Sequence, residues 1–487
     1  MSFTGKSAVI PIVPARAAQA SEAQLVSLYE KTVKLYPRSV SGHFARCRWA
    51  LVWLTQLVFY GAPWLEWNAR QAVLFDLASR RFYVFGLVLY PQDFIYLTAL
   101  LVLSALGLFL FTAVAGRLWC GYACPQTVYT EMFLWVERRI EGDRIARMRL
   151  DAAPWGLNKL WRKAAKHGAW GAMALWTGIT FVGYFTPVRE LVPSIASFGL
   201  GPWESFWVLF YGFATYGNAG FMREQVCKYM CPYARFQSAM FDRDTMIIAY
   251  DAQRGEPRGS RSRKVDPRAA GLGDCIDCTL CVQVCPTGID IRNGMQYECI
   301  GCAACIDVCD GVMDKVGYPR GLIRYSTENG IDRGLSRRQM WARVLRPRVL
   351  VYGAILAAVG TAFATSLVLR EPFKVDVVRD RGSLARIVGD GQVENVYRLQ
   401  IMNATERAQR YAIAVEGLPG IAVVKSDPTD IGPAQARWVP VRVQLPPASA
   451  APLAGQSSPI RFHIERLADS EHPARAVLEK STFIVPR

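Results

Sequence analysis

Histidine is nearly missing from this chain: four occur in 487 residues, at His43, His167, His463 and His472. None follows a cysteine in a C-x-x-C-H run, which excludes covalently attached haem, and so few imidazoles leave almost no ligands for a bis-histidine haem. No G-x-G-x-x-G or Walker string opens a helix, so nothing argues for a nucleotide site. The first 40 residues lack the continuous apolar core of a cleavable signal peptide. Residues 370–487 contain no cysteine at all.

Negative charge is also scarce, and the net charge is +17. The segment 370–487 holds 16 Lys/Arg against 13 Asp/Glu, a net +3, so +14 belongs to the rest. The one conspicuous basic run, 254–264, is rich in Gly, Pro and Ser and reads as a solvated linker. It has no interleaved aromatics on which bases would stack, so no nucleic-acid partner is expected.

Cysteine, by contrast, is plentiful: thirteen are present, eight of them in two consecutive runs of one spacing. C-I-D-C-T-L-C-V-Q-V-C-P supplies Cys275, Cys278, Cys281 and Cys285 ahead of Pro286, and C-I-G-C-A-A-C-I-D-V-C-D supplies Cys299, Cys302, Cys305 and Cys309 ahead of Asp310. Tandem C-x2-C-x2-C-x3-C is the ligand pattern of a two-cluster ferredoxin, in which the fourth cysteine of each run serves the other cluster. One [4Fe-4S] centre is therefore expected on Cys275, Cys278, Cys281 and Cys309, and a second on Cys299, Cys302, Cys305 and Cys285. Zinc sites use paired C-x2-C or mixed Cys/His sets, not four-cysteine runs in tandem. Pro286 is expected to turn the chain away after its run. Asp310 in the equivalent place predicts a different exit from the second run, with the ligand set unchanged.

Apolar residues, 52% of the chain, are concentrated in five blocks near 49–65, 94–115, 169–187, 205–222 and 349–369. Each approaches the roughly 20 residues that span a bilayer core as helix. Lys/Arg number seven in 1–48, ten in 117–166 and twenty in 223–348, against three and one in the intervening segments. The positive-inside rule then places the rich segments in the cytoplasm. The expected organisation is a cytoplasmic segment 1–48, a four-helix membrane region 49–222 with a cytoplasmic loop 116–168, and a cytoplasmic segment 223–348. That last segment carries the ferredoxin-type domain, 271–315. A fifth transmembrane helix at 349–369 leads to a periplasmic domain at 370–487. Thiol-rich chemistry suits the reducing side, and a cysteine-free tail suits the outer one.

Short Val-, Ile- and Tyr-rich runs recur through the tail at 374–378, 396–402, 411–415, 421–425, 438–445, 460–464 and 476–485, separated by Gly, Pro, Asn and Asp. Seven strands over roughly 100 residues predict an immunoglobulin-like β-sandwich. Asn403-Ala-Thr405 matches a glycosylation sequon, but a turn after a strand is the better reading.

Four further cysteines form a second constellation: Cys120-Gly-Tyr-Ala-Cys124-Pro125 after the second apolar block, and Cys227-Lys-Tyr-Met-Cys231-Pro232 after the fourth. Pairs at i, i+4 are expected on one helical face, each before a proline that stops or bends its helix. Convergence of the two pairs makes a soft site suited to Cu(I), zinc or an iron–sulfur centre. Met132, Met222, Met230 and Met240 lie nearby and are expected to pack rather than ligate. The remaining Cys47 is expected to be structural.

Three strings, 116–144 (G-R-L-W-C-G-Y-A-C-P-Q-T-V-Y-T-E-M-F-L-W-V-E-R-R-I-E-G-D-R), 226–237 (V-C-K-Y-M-C-P-Y-A-R-F-Q) and 298–310 (E-C-I-G-C-A-A-C-I-D-V-C-D), together resemble the FixG/RdxA/CcoG family of cytochrome c oxidase accessory proteins. The resemblance runs from about residue 36 to the end. C-x3-C-P pairs beside ferredoxin runs also occur in NapH-type and NosR-like proteins; the β-sandwich tail favours the accessory family. The resemblance implies an inner-membrane protein that matures a cbb3-type oxidase by reducing Cu(II) to Cu(I). It casts Cys120, Cys124, Cys227 and Cys231 as the catalytic copper site. Implied partners are the lipid bilayer, oxidase subunits or copper-delivery proteins, and a quinol or cytosolic electron donor. A NapH-like electron relay to a periplasmic partner, or an iron–sulfur assembly scaffold, are the alternatives.

Overall fold

The computed structural model describes residues 34–261, 271–380, 382, 385–425, 427–468 and 473–487. Most of the N-terminal segment, the end of the 254–264 linker and His472 lie outside them. Seven longer helices organise the described residues: α1 (His43–Gly61), α2 (Phe94–Ala115), α3 (Pro125–Glu141), α4 (Leu157–Val182), α5 (Pro202–Gly217), α6 (Ala304–Val316) and α7 (Pro347–Val368).

Two of these, counting the lead-in turn of α2, are long and apolar enough to cross a membrane: Pro91–Ala115 and Pro347–Val368, and the most apolar 18 residues of each are almost wholly unburied within the protein. The apolar blocks of the sequence predict five. The other three blocks fall short for separate reasons. α1 brings His43, Arg46 and Arg48 into its first turns, and α4 carries Lys159, Arg162, Lys163, Lys166 and His167 along its first half. α5 has 16 residues before its hydrogen bonding loosens into a wider turn at Asn218–Met222. α4 and α5 pack closely through glycine: a Cβ on Gly178 would stand 2.3 Å from the Val208 carbonyl oxygen. Small residues that let helix backbones touch are the usual contact of membrane helices.

α2 and α7 run antiparallel. At one end Tyr96 donates to the Ser366 carbonyl (3.1 Å), and Asp93 binds Arg370 (2.6 Å) and Lys374 (2.5 Å). At the other, Arg346 donates to the Ala113 carbonyl (2.6 Å). The C-terminal domain therefore sits at the Asp93 end and the cysteine-rich domain at the Ala113 end. A three-stranded antiparallel sheet (Val73–Asp76, Arg81–Val84, Leu87–Leu89) joins the Asp93 end, packing Leu74, Tyr83, Val88 and Tyr90 on Met402 and Ala434. The Tyr90 hydroxyl donates to the Asn403 carbonyl (2.9 Å) and Arg70 pairs with Glu406.

All seven expected strands of the tail are present, with two more at Arg386–Val388 and Thr429–Ile431. One sheet runs Ala422–Val423, Ala436–Leu445, Gln392–Asn403, Phe373–Arg379, with Arg386–Val388 added on Gln392–Asn403. The other runs Thr429–Ile431, Gln409–Glu416, Ser457–Arg466, Arg475–Ile484. Residues two apart share a sheet face, so Tyr397, Leu399 and Ile401 point together into a core with Phe373, Tyr411, Phe462 and Phe483. Asn403 is buried and its amide donates to the Arg407 and Gly432 carbonyls, while its Oδ1 accepts from the Thr405 hydroxyl (2.7 Å). The sequon is a turn lock.

Arg254 is not free in solvent as the linker reading expected. It pairs with Asp274 and donates to the Pro319 and Arg320 carbonyls, fastening the segment before the cysteine runs to the loop after them.

Candidate functional site

The sequence repeat becomes a repeat of backbone. Asp277 and Gly301, each just before the second cysteine of its run, have φ of 50° and 71°. Thr279 and Ala303, each just after it, have φ of 55° and 59°. Left-handed residues at matched positions curl each loop around its cysteines, and a helix follows: Leu280–Gln283 after the first, α6 after the second. The exits differ as Asp310 implied. The first helix ends before Cys285-Pro286, while α6 runs through Cys309 and Asp310 to Val316, and Asp310 Oδ1 accepts the Gly321 N–H (2.9 Å).

Two cavities form between these loops. One is lined by Cys275, Cys278, Cys281 and Cys309 within Tyr250, Ile276, Leu280, Val312, Met313 and Leu322. The other is lined by Cys281, Cys285, Cys299, Cys302 and Cys305 within Ile248, Ile289, Ile291 and Ile300. Each cavity thus draws three cysteines from one run and meets Cys309 or Cys285, the fourth cysteine of the other, while Cys281 faces both. The thiols also meet backbone N–H donors, of Gly301 at Cys299 and of Ala304 at Cys302. Four soft thiolate donors in an apolar, water-poor shell fit an iron–sulfur cubane. Burial pushes the free thiols up, to about 11 at Cys281 and about 12 at Cys299 and Cys309, so binding a cluster releases protons.

The C-x3-C-P pairs differ from expectation in local geometry. Neither pair lies on one helix. Gly116 (φ 56°) breaks the chain after α2, Cys120 sits in a short turn of helix (Leu118–Tyr122), and Cys124 is the extended N-cap of α3. Likewise Cys227 lies in a wide turn (Val226–Met230) and Cys231 is the extended N-cap of the helix Pro232–Met240. Pro125 and Pro232 start helices; they do not stop them. Proline suits the first helical position because its missing N–H would be unpaired there anyway. The consequence for Cys124 is chemical: its sulfur meets the N–H groups of Gln126 and Thr127 at the positive end of α3.

The two pairs come within electrostatic reach of one another. Burial, then the neighbouring Cys124 and Cys120, push the Cys227 thiol up to about 12, and Cys231 acts on Cys124 and Cys227. Among the described residues, no three Cys, His, Asp or Glu side chains are gathered tightly enough to close on one ion. Met230, expected to pack, is exposed, and Cys47 stands 3.8 Å from His43 Nε2.

Several residues that motif reading passed over hold this region together. A Cβ on Gly121 would lie 2.8 Å from Cys302 N and Cα and from the Ile300 carbonyl, so the first C-x3-C-P turn rests directly on the second cysteine loop. Arg48 of α1 donates to the Cys302 carbonyl (2.5 Å), and Asp307 of α6 accepts the N–H groups of Phe44 (3.1 Å) and Ala45 (2.7 Å), capping α1. Arg117 is buried, donates through Nε to Gln237 Oε1 (3.0 Å) and through Nη1 to the Tyr297 carbonyl. Gln237 Oε1 also accepts from Cys120 Sγ (3.5 Å). Beneath the pairs, buried Glu137 accepts from Arg147 (2.8 Å) and Arg223 (2.8 Å), four residues before Cys227. The only sequence signal for these residues is the presence of Arg and Gly inside or beside the motifs.

Comparison with known proteins agrees with this division. Residues 222–328 match the family described as a 4Fe-4S dicluster domain, 97–142 a 4Fe-4S binding domain, and 363–486 the IG-like fold at the C-terminal of FixG. The chain is 42% identical over 423 residues to the nitrogen fixation protein FixG of Rhizobium meliloti, covering 80% of this chain and 81% of that one. It is 40% identical over 451 residues to Protein RdxA of Cereibacter sphaeroides, covering 90% and 94%. The chain belongs to the FixG/RdxA/CcoG family. Protein RdxB of the same organism is 42% identical over 410 residues, covering 82% and 86%. Among solved structures, a FixG-related protein from Vibrio parahaemolyticus aligns over 23% of this chain and 96% of its own, at 24% identity and a TM-score of 0.20. The family places this chain among iron–sulfur redox proteins.

Proposed function

We propose that the protein is an inner-membrane cupric reductase that supplies Cu(I) for assembly of a cbb3-type cytochrome c oxidase. The observation that supports this reading is the contact of Gly121 with Cys302, through which the turn carrying Cys120 and Cys124 rests on the loop of the second cysteine set. Cys120, Cys124, Cys227 and Cys231 receive the Cu(II) substrate. When bound, the clusters supply electrons singly; one electron converts Cu(II) to Cu(I), and no bond to the chain need break. Thiolate softness favours the product ion over the substrate ion. The loosely gathered thiols suit a site that takes in and gives up its ion. Arg48 and Asp307 hold the loop in place, and the apolar walls keep water from the donor side.

In this reading the cysteine-rich end faces the cytoplasm and the sandwich the periplasm, which the Lys/Arg distribution supports. The sandwich receives oxidase subunits or a copper-delivery protein, and a quinol or cytosolic donor recharges the clusters.

One observation favours a second reading. The 4Fe-4S binding family matches 97–142, a stretch whose only cysteines are Cys120 and Cys124. The four C-x3-C-P thiols would then hold a third iron–sulfur centre in an electron relay. Iron analysis of the anaerobically purified protein separates the two: about eight irons per chain supports the copper site, and about twelve the third cluster.

A further inference from the structure

Arg117 stands between the two thiol sites. On one side its guanidinium reaches Cys120, both directly and through the shared acceptor Gln237 Oε1. On the other it donates to the Tyr297 carbonyl, two residues before Cys299, and its backbone packs 3.2 Å from where a Cβ on Gly301 would lie. It is 7% exposed, and its partners are neutral: an amide oxygen, a carbonyl oxygen and a thiol. Of the other buried cations nearby, Arg147 and Arg223 are matched by Glu137 and Lys166 by Glu141, while Arg48 also donates to a neutral acceptor, the Cys302 carbonyl. A buried cation whose bonds go to neutral acceptors leaves its charge for whatever anion forms beside it.

We propose that Arg117 is a positioning residue for electron transfer, whose fixed positive charge favours placing an electron on the C-x3-C-P site and on the neighbouring second cysteine set, but not on the first. This rests on the reductase reading for its direction of flow and extends it to what sets the driving force. A positive charge stabilises any site that gains an electron, and the effect falls with distance. Arg117 shares the acceptor Gln237 Oε1 with Cys120 but meets the Cys299 loop two residues away, at the Tyr297 carbonyl, so the acceptor gains more than the donor and transfer runs toward the C-x3-C-P thiols. The planar fork explains why arginine suits the place: one nitrogen fixes Gln237, another fixes the cysteine loop, and the charge is held between them. Gln237, wholly buried and bonded to Thr112 (3.4 Å), gives the guanidinium a rigid seat.

The test is a potentiometric EPR titration of the anaerobically purified full chain, with no copper present, on the parent, Arg117→Gln and Arg117→Lys. Arg117→Gln is expected to lower the midpoint potential of one cluster and leave the other where it was; a Cys285→Ser background identifies the shifted signal as the second set. Arg117→Lys keeps the charge and loses the fork, so it should restore the potential. Cu(II)-driven oxidation should slow by about tenfold or more in Arg117→Gln, since an opposite charge at contact distance is worth about one to three pKa units. If Arg117→Gln fails to assemble, Gln237→Glu serves: it neutralises the charge in place and should shift the same cluster the same way. Equal shifts of both clusters, no shift, or Lys behaving as Gln would each overturn the proposal and leave Arg117 a structural tie. Failure of Cu(II) to oxidise the parent would instead sink the reductase reading, while the copper-free potentials still judge Arg117.

Discussion

Gly121 and Cys302 touch backbone to backbone, with room for nothing larger than hydrogen on the glycine. The contact joins two motifs 181 residues apart in sequence. Gly121→Ala should force the loops apart, at a cost of about 1–3 kcal/mol. We predict a lower unfolding midpoint and slower cluster oxidation by Cu(II). Gly353→Ala on α7, where a Cβ meets nothing within 4 Å, is the neutral control.

Cys285 lines the cavity of the second cysteine set although it belongs to the first run. Cys285→Ser should therefore damage the centre otherwise held by Cys299, Cys302 and Cys305. EPR of the reduced protein should lose that signal and keep the other. Loss confined to the centre on Cys275, Cys278 and Cys281 would show that the ligands do not cross.

Glu137 supplies the pH dependence. Burial alone would raise its pKa, yet Arg223, Arg147 and Lys166 hold it below the ordinary carboxylate range. A depressed acid contributes stability that is complete above its unfolded value, about 4.3, and is lost as pH falls through the folded value. Glu137→Gln should remove this at neutral pH, costing about 3–5 kcal/mol because Arg147 and Arg223 are left buried and unpaired. Thermal unfolding from pH 7 to pH 3 should show the parent converging on the variant at the acid end.

The tail and the segment 66–90 meet at one end of α2 and α7, and the cysteine runs lie at the other. Alkaline phosphatase fused after Val378 should be active in cells, and fused near Ser260 inactive. The reverse would overturn the orientation.

Much of this was legible in residue order because strong local rules govern it. Cysteine spacing determines which thiols a short loop can present together, and alternating Val, Ile and Tyr determine which strand faces turn inward. The helix blocks were less legible. Hydropathy marks α4 and α5, but not that Lys166 of α4 is buried on Glu137 and Glu141. Spacing at i, i+4 suggested one helical face for each C-x3-C-P pair, whereas Gly116 and the helix-starting Pro125 and Pro232 break the backbone between or beside the cysteines. The roles of Arg117, Gly121 and Gln237 depend on contacts more than 100 residues distant, which no local pattern encodes.

The most direct test is an anaerobic titration of the dithionite-reduced, desalted protein with Cu(II), followed by cluster EPR. The account predicts that the cluster signals disappear in proportion to added copper, with Cu(I) formed one per electron. Replacing Cys120, Cys124, Cys227 and Cys231 by serine should abolish that oxidation and leave the iron content unchanged. Clusters that stay reduced in the parent while Cu(II) remains EPR-visible would contradict the account.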